Sequence, residues 1–247
     1  MFTYLMNVVV ISRLVYLRDG MVGRTTIAVV VVVQTLAVAV LEPSIAVLAY
    51  AVLMAGANLL FYRLEQRSSA TNGLRVLLLG LQALLTAALS SSAANARFQP
   101  WLRATPGFLA LYTWPALFSQ PVDLGNAGVV LLGFLLVANE ANLLIRYVLE
   151  RFGLVATPMP ADPPYLISLD RPAYSAGRYI GILERLLIYI LVLNAQFATI
   201  GLVLAAKSFA RFRQLEERQF AEYVLIGTLL SVLVAILVSL VVRALVS

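Results

Sequence analysis

The chain contains no cysteine and no histidine among its 247 residues. Without cysteine it can form no disulfide, bind no iron–sulfur cluster and use no thiolate as a nucleophile. Without histidine it lacks the imidazole ligands of common zinc and haem sites, and the base of a serine–histidine pair. These absences exclude the enzyme classes that depend on either side chain.

Charged residues are also scarce, since they make up 12% of the chain while 62% of its residues are hydrophobic. Ordinary soluble domains are about 45–50% apolar and about 25% charged. The mean hydropathy of +0.92 is too high for a soluble fold to bury all of the apolar surface. We therefore expect an all-α, polytopic membrane helix bundle without a soluble domain of any size.

The net charge of +6 does not indicate a nucleic-acid-binding protein. The basic residues are spread over many short loops and form no run of five or more. Basic loops beside apolar helices are typical of the positive-inside rule of membrane proteins. The few aspartates are too far apart to share a magnesium ion, and no P-loop or GxSxG motif is present. We expect neither catalysis nor a metal, cofactor or nucleic acid.

Long apolar runs predict six spanning helices within one integral membrane domain that covers residues 1–247. Two shorter runs, residues 2–17 and 107–118, either span the membrane or form interfacial or re-entrant segments. For residues 1–25 we favour an interfacial segment. The six predicted helices are residues 26–41, 45–62, 74–91, 127–149, 179–206 and 223–245.

Two polar connections separate the later helices. Residues 150–178 contain five prolines, so we expect a proline-rich loop that no long helix can cross. Residues 207–222 mix charges of both signs at helical spacings and predict an amphipathic link. This link is either a solvated helical connection or a docking surface for a soluble protein partner. Its candidate docking residues are Lys207, Arg211, Arg213, Glu217 and Glu222.

Glu140 lies near the middle of the apolar helix at residues 127–149. A bare carboxylate at the bilayer centre costs about 3 kcal/mol, so Glu140 must face the protein interior or a wet cavity, or be protonated. We expect an intramembrane polar cluster of Asn139, Glu140, Asn142 and Arg185, with Arg75 as the second candidate partner of the carboxylate. The cluster is either a structural hydrogen-bonded group or a proton or cation site.

Two amides, Asn194 and Gln196, lie in the middle of the predicted helix at residues 179–206. Amides inside membranes usually form hydrogen bonds across helices. The alternative is that these two side chains line a substrate site.

The last predicted helix carries a stripe of small residues that recur every fourth position. Such a stripe allows another helix to approach closely. Gly201 and Ala205 offer a matching patch on the preceding helix, so we expect these two helices to pack together. Alternatively, the stripe binds a separate subunit. Its residues are Gly227, Ser231, Ala235 and Ser239.

Three segments of the C-terminal third resemble those of a known family: AGRYIGILER at residues 176–185, AKSFARF at 206–212 and FAEYVLIGTLLS at 220–231. The family consists of uncharacterised bacterial integral membrane proteins, domain of unknown function 3307, associated with SatD-like regulators. The resemblance implies a multi-pass protein of the bacterial cytoplasmic (inner) membrane and supplies no activity. The family's pattern carries histidines in early helices, whereas Asn58 and Gln82 are the polar residues nearest those positions here.

The same resemblance implies one polar cluster of Glu184, Arg185, Lys207, Arg211, Glu222 and Tyr223. Helix geometry divides it into two sites, one with Glu184 and Arg185 and the other with Lys207, Arg211 and Glu222. Because Glu184 and Lys207 lie toward opposite ends of the predicted helix at residues 179–206, we expect the two sites on opposite sides of the membrane.

These features favour a non-enzymatic membrane subunit or scaffold that contacts membrane lipid and acts through a protein partner. The alternative is a small ion-coupled, lipid or small-molecule transporter with Glu140 in a midplane cavity. An open cavity at Glu140 would favour transport, and a tightly packed bundle would favour the scaffold.

Overall fold

The computed structural model describes residues 1–17, 23–68, 71–100, 124–153, 171–210 and 218–246. The described residues are helical, joined by turns and one isolated bridge between Leu41 and Phe98. The all-α class that composition predicts is confirmed. The described α-helices are α1 (Phe2–Ser12), α2 (Arg24–Val38), α3 (Ile45–Glu65), α4 (Thr71–Ser90), α5 (Leu124–Leu135), α6 (Ala141–Arg151), α7 (Arg171–Leu193), α8 (Phe197–Ala210) and α9 (Arg218–Val246).

Four helical segments are long and apolar enough to cross a membrane: Ile45–Glu65, Thr71–Ser90, Asn126–Arg151 and Val224–Val246. They coincide with four of the six predicted helices. The other two predictions fall short, because α2 has only 15 residues and residues 179–206 are not one helix. Fifteen residues extend about 22 Å, against a hydrocarbon core of about 30 Å. Helix length and composition thus make this a membrane protein with four candidate spans among the described residues.

The contacts group the chain into two compact units, unit 1 at Met1–Leu135 and unit 2 at Leu136–Leu245. The boundary falls inside the 26-residue helical segment Asn126–Arg151, where a π-helical turn, Leu136–Glu140, joins α5 to α6. Such turns are rare and are frequent at functional sites.

Helix α1 lies in the middle of unit 1, packed against α2, α4 and α5. Leu5 and Val9 belong to its hydrophobic core, and the Asn7 amide donates to the Gly128 carbonyl at 3.0 Å. A Cβ at Gly128 would lie 3.3 Å from the Thr3 side chain, so glycine permits this close approach. Helix α1 is therefore mostly covered by protein, with Phe2 and Ile11 still exposed, and the interfacial segment expected at residues 1–25 stays a prediction.

The predicted spanning helix at residues 179–206 is instead a helical hairpin in unit 2. Helix α7 ends at Leu193, and Ala195 adopts a left-handed conformation with φ of 57°. The backbone N–H groups of Ala195 and Gln196 donate to the Val192 and Leu191 carbonyls, at 3.0 and 2.8 Å. This is the Schellman pattern that ends helices, with alanine in the position that usually holds glycine. Helix α8 then returns along α7.

The proline-rich loop is shorter than residues 150–178. Helix α6 continues to Arg151, and α7 begins at Arg171 with Pro172 in its first turn, where proline is tolerated. Residues 154–170 of that loop and the short run 107–118 lie outside the described residues.

Candidate functional site

Unit 1 contains a chain of buried polar side chains, which we call the polar ladder. It connects α1, α2, α3 and α4, and its members Gln82 and Thr86 have no exposed surface. Bare polar groups in an apolar interior are costly, so their mutual hydrogen bonds are what permits them here. The ladder consists of Ser12, Gln34, Tyr50, Asn58, Gln82 and Thr86.

Arg13, which follows α1, sets the direction of the ladder. A guanidinium can only donate, so the Gln82 atom that faces Arg13 Nη1 at 3.4 Å must be the carbonyl oxygen. The Gln82 amide nitrogen then donates to Asn58 Oδ1 at 3.1 Å, and Asn58 Nδ2 donates to Gln34 Oε1 at 2.8 Å. Gln34 Nε2 donates to Ser12 Oγ at 2.9 Å, and Ser12 donates to the Val9 carbonyl. The charge of Arg13 thus fixes the orientation of the three side-chain amides in the ladder, those of Gln82, Asn58 and Gln34.

A side branch ties the two long helices of unit 1 together. Thr86 Oγ1 donates to the Gln82 carbonyl at 2.7 Å, so its 3.1 Å hydrogen bond with Tyr50 must take its proton from the tyrosine hydroxyl. Asn58 also donates to the Met54 carbonyl at 2.8 Å. Both protons of the Asn58 amide and its oxygen are therefore engaged.

The charged end of the ladder holds two arginines and one carboxylate. Arg13 Nη2 donates to the Arg75 carbonyl at 2.8 Å, and Arg75 forms a buried ion pair with Glu65. The two guanidinium carbons lie 5.0 and 4.8 Å from the centre of the Tyr16 ring. Cation–π contacts of this kind stabilise buried guanidinium groups when water is excluded. Within unit 1 the Arg75 guanidinium is paired with Glu65, and the pairing of Arg75 with Glu140 stays a prediction.

The ladder cannot serve as a proton path by itself, because its links are amides and hydroxyl groups with no titratable side chain between Gln82 and Ser12. Its chemistry is structural: it joins four helices at fixed register through hydrogen bonds that polarise one another. The sequence patterns do not predict this site as a whole. The available signal was a single amide inside each apolar run, since Gln34, Asn58 and Gln82 each interrupt long stretches of aliphatic residues.

In unit 2, the π-helical turn carries Asn139 and Glu140, both buried. Asn139 Nδ2 donates to Glu140 Oε1 at 3.0 Å. Arg185 of α7 donates from Nε to the Val137 carbonyl of the same turn at 3.2 Å. Because a π turn bonds at i+5 rather than i+4, it leaves a carbonyl available for such a donor. Asn142 lies half-buried in α6, beyond the turn.

Arg185 does not form the direct pair with Glu140 that we expected. Its hydrogen bonds within the described chain go to Val137 and, from Nη1, to Ser231 Oγ of α9 at 3.4 Å. Its third nitrogen, Nη2, is buried without a hydrogen-bond partner among the described residues. The backbone carbonyl freed by the π turn has taken the place of the carboxylate.

The predicted position of Asn194 and Gln196 in the middle of a helix is wrong, and their role in lining a substrate site stays a prediction. Both are exposed and lie at the turn between α7 and α8. Asn194 Nδ2 donates to the Ile190 carbonyl at 2.8 Å, so its side chain completes the end of α7. Sequence spacing missed this because the turn depends on alanine rather than on glycine or proline.

Lys207 of α8 and Glu184 of α7 form an ion pair. Their side chains are 16% and 19% exposed, respectively. The prediction of two polar sites on opposite sides of the membrane is therefore wrong, because the hairpin brings these residues together. Lys207 is engaged within unit 2 rather than held free for docking. Glu222 is exposed at the start of α9, whereas Arg211, Arg213 and Glu217 lie outside the described residues.

The small-residue stripe of α9 faces the interior of unit 2. Gly227 approaches Leu149 of α6, and Ser231 accepts the hydrogen bond from Arg185. Ala235 and Ser239 have no exposed surface, and Ser239 donates to the Ala235 carbonyl. The expected partner patch on α8 is not used.

Gly201 and Ala205 of α8 are exposed. A Cβ at Gly201 would meet nothing within 4 Å, so no other helix of the described chain packs on it. The small residues of α8 thus form an open surface, because α8 packs against α7 instead.

The described residues contain no group of three or more acidic side chains that could hold a metal ion. Comparison of the chain with protein-family models, curated proteins and solved structures gives no match. The resemblance of the C-terminal third to the SatD-associated family stays a prediction.

Proposed function

We propose that this protein is a non-enzymatic scaffold subunit of a membrane complex, located in the bacterial cytoplasmic membrane. The observation that carries the proposal is the polar ladder, which joins four helices of unit 1 through buried side chains that hydrogen-bond to one another. A carrier must open and close around its cargo, whereas a ladder of this kind favours one helix arrangement. Rigid helices suit a protein that holds partners in position.

In this proposal α2 and α7 complete six membrane crossings. The 23 residues of α7 extend about 34 Å, enough to cross a hydrocarbon core of about 30 Å. Arg24 at the start of the shorter α2 reaches the headgroups by extending its side chain. The resemblance of the C-terminal third supports the bacterial inner membrane as the location.

The partner-facing surface in this proposal is the open side of α8 with Gly201 and Ala205. Small residues four positions apart let a second transmembrane helix approach closely, and this pair has no such helix within the described chain. The charged link that follows α8 adds a polar contact at the membrane surface.

Native mass spectrometry of protein gently extracted from its own membrane tests the scaffold. We expect a second protein at fixed stoichiometry, lost in Gly201→Leu and kept in the matched control Gly56→Leu. Both glycines are exposed and a Cβ at either meets nothing within 4 Å, so neither change should unfold the chain. A lone chain in every sample, or equal loss in both variants, would contradict the proposal.

A second candidate function is a small ion-coupled transporter, which the π turn of unit 2 favours. There a buried carboxylate at Glu140 lies on the same turn as the carbonyl bound by Arg185, whose Nη2 is unpartnered within the described chain. Flux measured in proteoliposomes across a pH gradient distinguishes the two. Transport predicts that Glu140→Gln abolishes flux without lowering Tm, whereas the scaffold predicts no flux in either protein.

A further inference from the structure

A groove of about 990 Å³ runs between α2 and α3 of unit 1. Its walls are aliphatic and include Ile27, Val31 and Val32 of α2 and Leu59 of α3. Val32 and Leu59 are about half exposed, so the groove opens to the surroundings of the protein. Along α2 it extends from Arg24 to Val32, about 12 Å at 1.5 Å per residue.

One end of the groove is strongly basic. Arg24, Arg63 and Arg67 line it, and none of the residues that line it is acidic. All three arginines are exposed, and none of their guanidinium groups has a hydrogen bond or ion pair to another described residue. Glu65 of α3 is buried and is held by Arg75, so it does not neutralise these arginines. Three cations therefore converge without an internal counter-charge from the described chain.

The start of α2 adds a second attraction for anions. Its N-cap is Gly23, which offers no side-chain cap, and its first turn holds no acidic residue. The first N–H groups of a helix lack helical partners and carry partial positive charge. A cation in that position, as at Arg24, opposes the helix dipole, so Arg24 does not serve to stabilise α2. An anion bound there would satisfy both the arginine and the helix terminus.

We infer that the groove binds an anionic phospholipid, with its phosphate among Arg24, Arg63 and Arg67 and an acyl chain along Val31, Val32 and Leu59. Guanidinium groups bind phosphate oxygens in pairs, which favours arginine over a merely positive surface. Basic pockets between membrane helices bind lipid headgroups in this way. A soluble phosphate would use only the basic end and leave the aliphatic walls without a role.

The first test exchanges lipids on the purified full-length chain. Protein reconstituted in phosphatidylcholine nanodiscs, with or without phosphatidylglycerol, is released and its retained lipids are counted by native mass spectrometry. We expect selective retention of phosphatidylglycerol by the wild type. The triple variant Arg24→Gln, Arg63→Gln, Arg67→Gln should lower that selectivity on the order of a hundredfold, at about fivefold per arginine near an anionic surface.

The matched control changes the same total charge elsewhere. Arg97, Arg151 and Arg243 are exposed and do not line the groove, so their triple change to Gln should leave selectivity within about twofold of the wild type. Equal losses in both triple variants would overturn the inference, because the effect would then be general surface charge. Equal retention of phosphatidylcholine and phosphatidylglycerol by the wild type would overturn it as well.

A second variant separates a lipid from a free phosphate. Ala28→Trp fills the groove beside its basic end and leaves the three arginines in place. Lipid retention should fall while binding of inorganic phosphate stays unchanged. If retention survives this change, the acyl chain does not lie in the groove and the inference is wrong.

A measurement on the unaltered protein completes the test. A phosphatidylglycerol analogue with a photoreactive group on its acyl chain should label peptides from residues 27–32 and 59–62. Labelling spread evenly over all lipid-facing helices would overturn the inference without depending on any variant's folding.

Discussion

The polar ladder of unit 1 and the Arg185 site of unit 2 bury polar groups in opposite ways. In unit 1, Asn58 engages both amide protons and its oxygen, and the ladder ends on a backbone carbonyl. In unit 2, Arg185 binds a carbonyl freed by a π turn and one serine, and its Nη2 finds no partner in the described chain. The ladder from Gln82 to Ser12 is closed in its hydrogen bonding, whereas Arg185 at the π turn is not.

This difference shows that burial alone does not identify a working site. A fully bonded polar group in the membrane resists change, because moving it breaks bonds that water cannot replace. A group that makes fewer hydrogen bonds breaks fewer of them when its surroundings rearrange. We therefore expect the four helices of the ladder to provide rigidity and the π turn of unit 2 to provide any movement.

The largest expected effect tests whether α7 and α8 of unit 2 form a hairpin. Glu184→Cys and Lys207→Cys should be joined by a short thiol cross-linker, since their side chains pair in the hairpin. In one straight helix the 23-residue separation would place them about 34 Å apart. The chain has no native cysteine, so mass spectrometry reads the product without background. The pair Gly177→Cys and Lys207→Cys, about 10 Å further apart along α7, should remain unlinked.

The same arginine substitution should have unequal effects in the two units. Arg75→Met leaves the Glu65 carboxylate buried without its cation and should cost about 3–5 kcal/mol of unfolding free energy. Arg185→Met removes an incompletely bonded charge and should cost less than about 1 kcal/mol, since apolar replacement of buried charge is often neutral. Denaturation in detergent measures both changes. Equal losses would show that Arg185 is held as tightly as Arg75.

A matched pair of asparagine substitutions gives the next largest effect. Asn58→Leu removes three hydrogen bonds and leaves the side-chain amides of Gln34 and Gln82 without their Asn58 partner. This change should lower the free energy of unfolding by about 2–3 kcal/mol. Asn194→Leu removes one exposed hydrogen bond to Ile190 and should cost about 0.5 kcal/mol. Hydrogen exchange should show faster opening of α2–α4 only in the first variant. Protection unchanged at Asn58→Leu would argue against the ladder.

The smallest effect tests the turn at Ala195. Ala195→Gly should stabilise the protein by about 0.5–1 kcal/mol, because a non-glycine residue at φ of 57° is strained. The same change at exposed Ala206 within α8 should destabilise it by about 0.5–1 kcal/mol, through lost helix propensity. Thermal melts of the two variants should therefore shift in opposite directions. A shift of the same sign would indicate that α7 and α8 are not separated at this residue.

Apolar run length predicted α3, α4, α9 and the segment Asn126–Arg151 closely, because a helix must satisfy its backbone before it can cross a bilayer. It failed at residues 179–206, where Ala195 breaks the helix without a glycine or proline signal. The small-residue stripe of α9 was visible as a spacing, but its neighbours in the fold were not.

The sequence by itself determined that the chain is helical and lies in a membrane, since composition and run length decide how an apolar chain can hide its backbone. Only the tertiary structure decided which polar groups meet. Asn58 and Gln82 are 24 residues apart, and Glu184 and Lys207 are 23 apart. Contacts at such separations depend on helix register and on one turn, which local sequence patterns do not encode. Arg13 likewise acquires its role only once α1 lies inside the bundle.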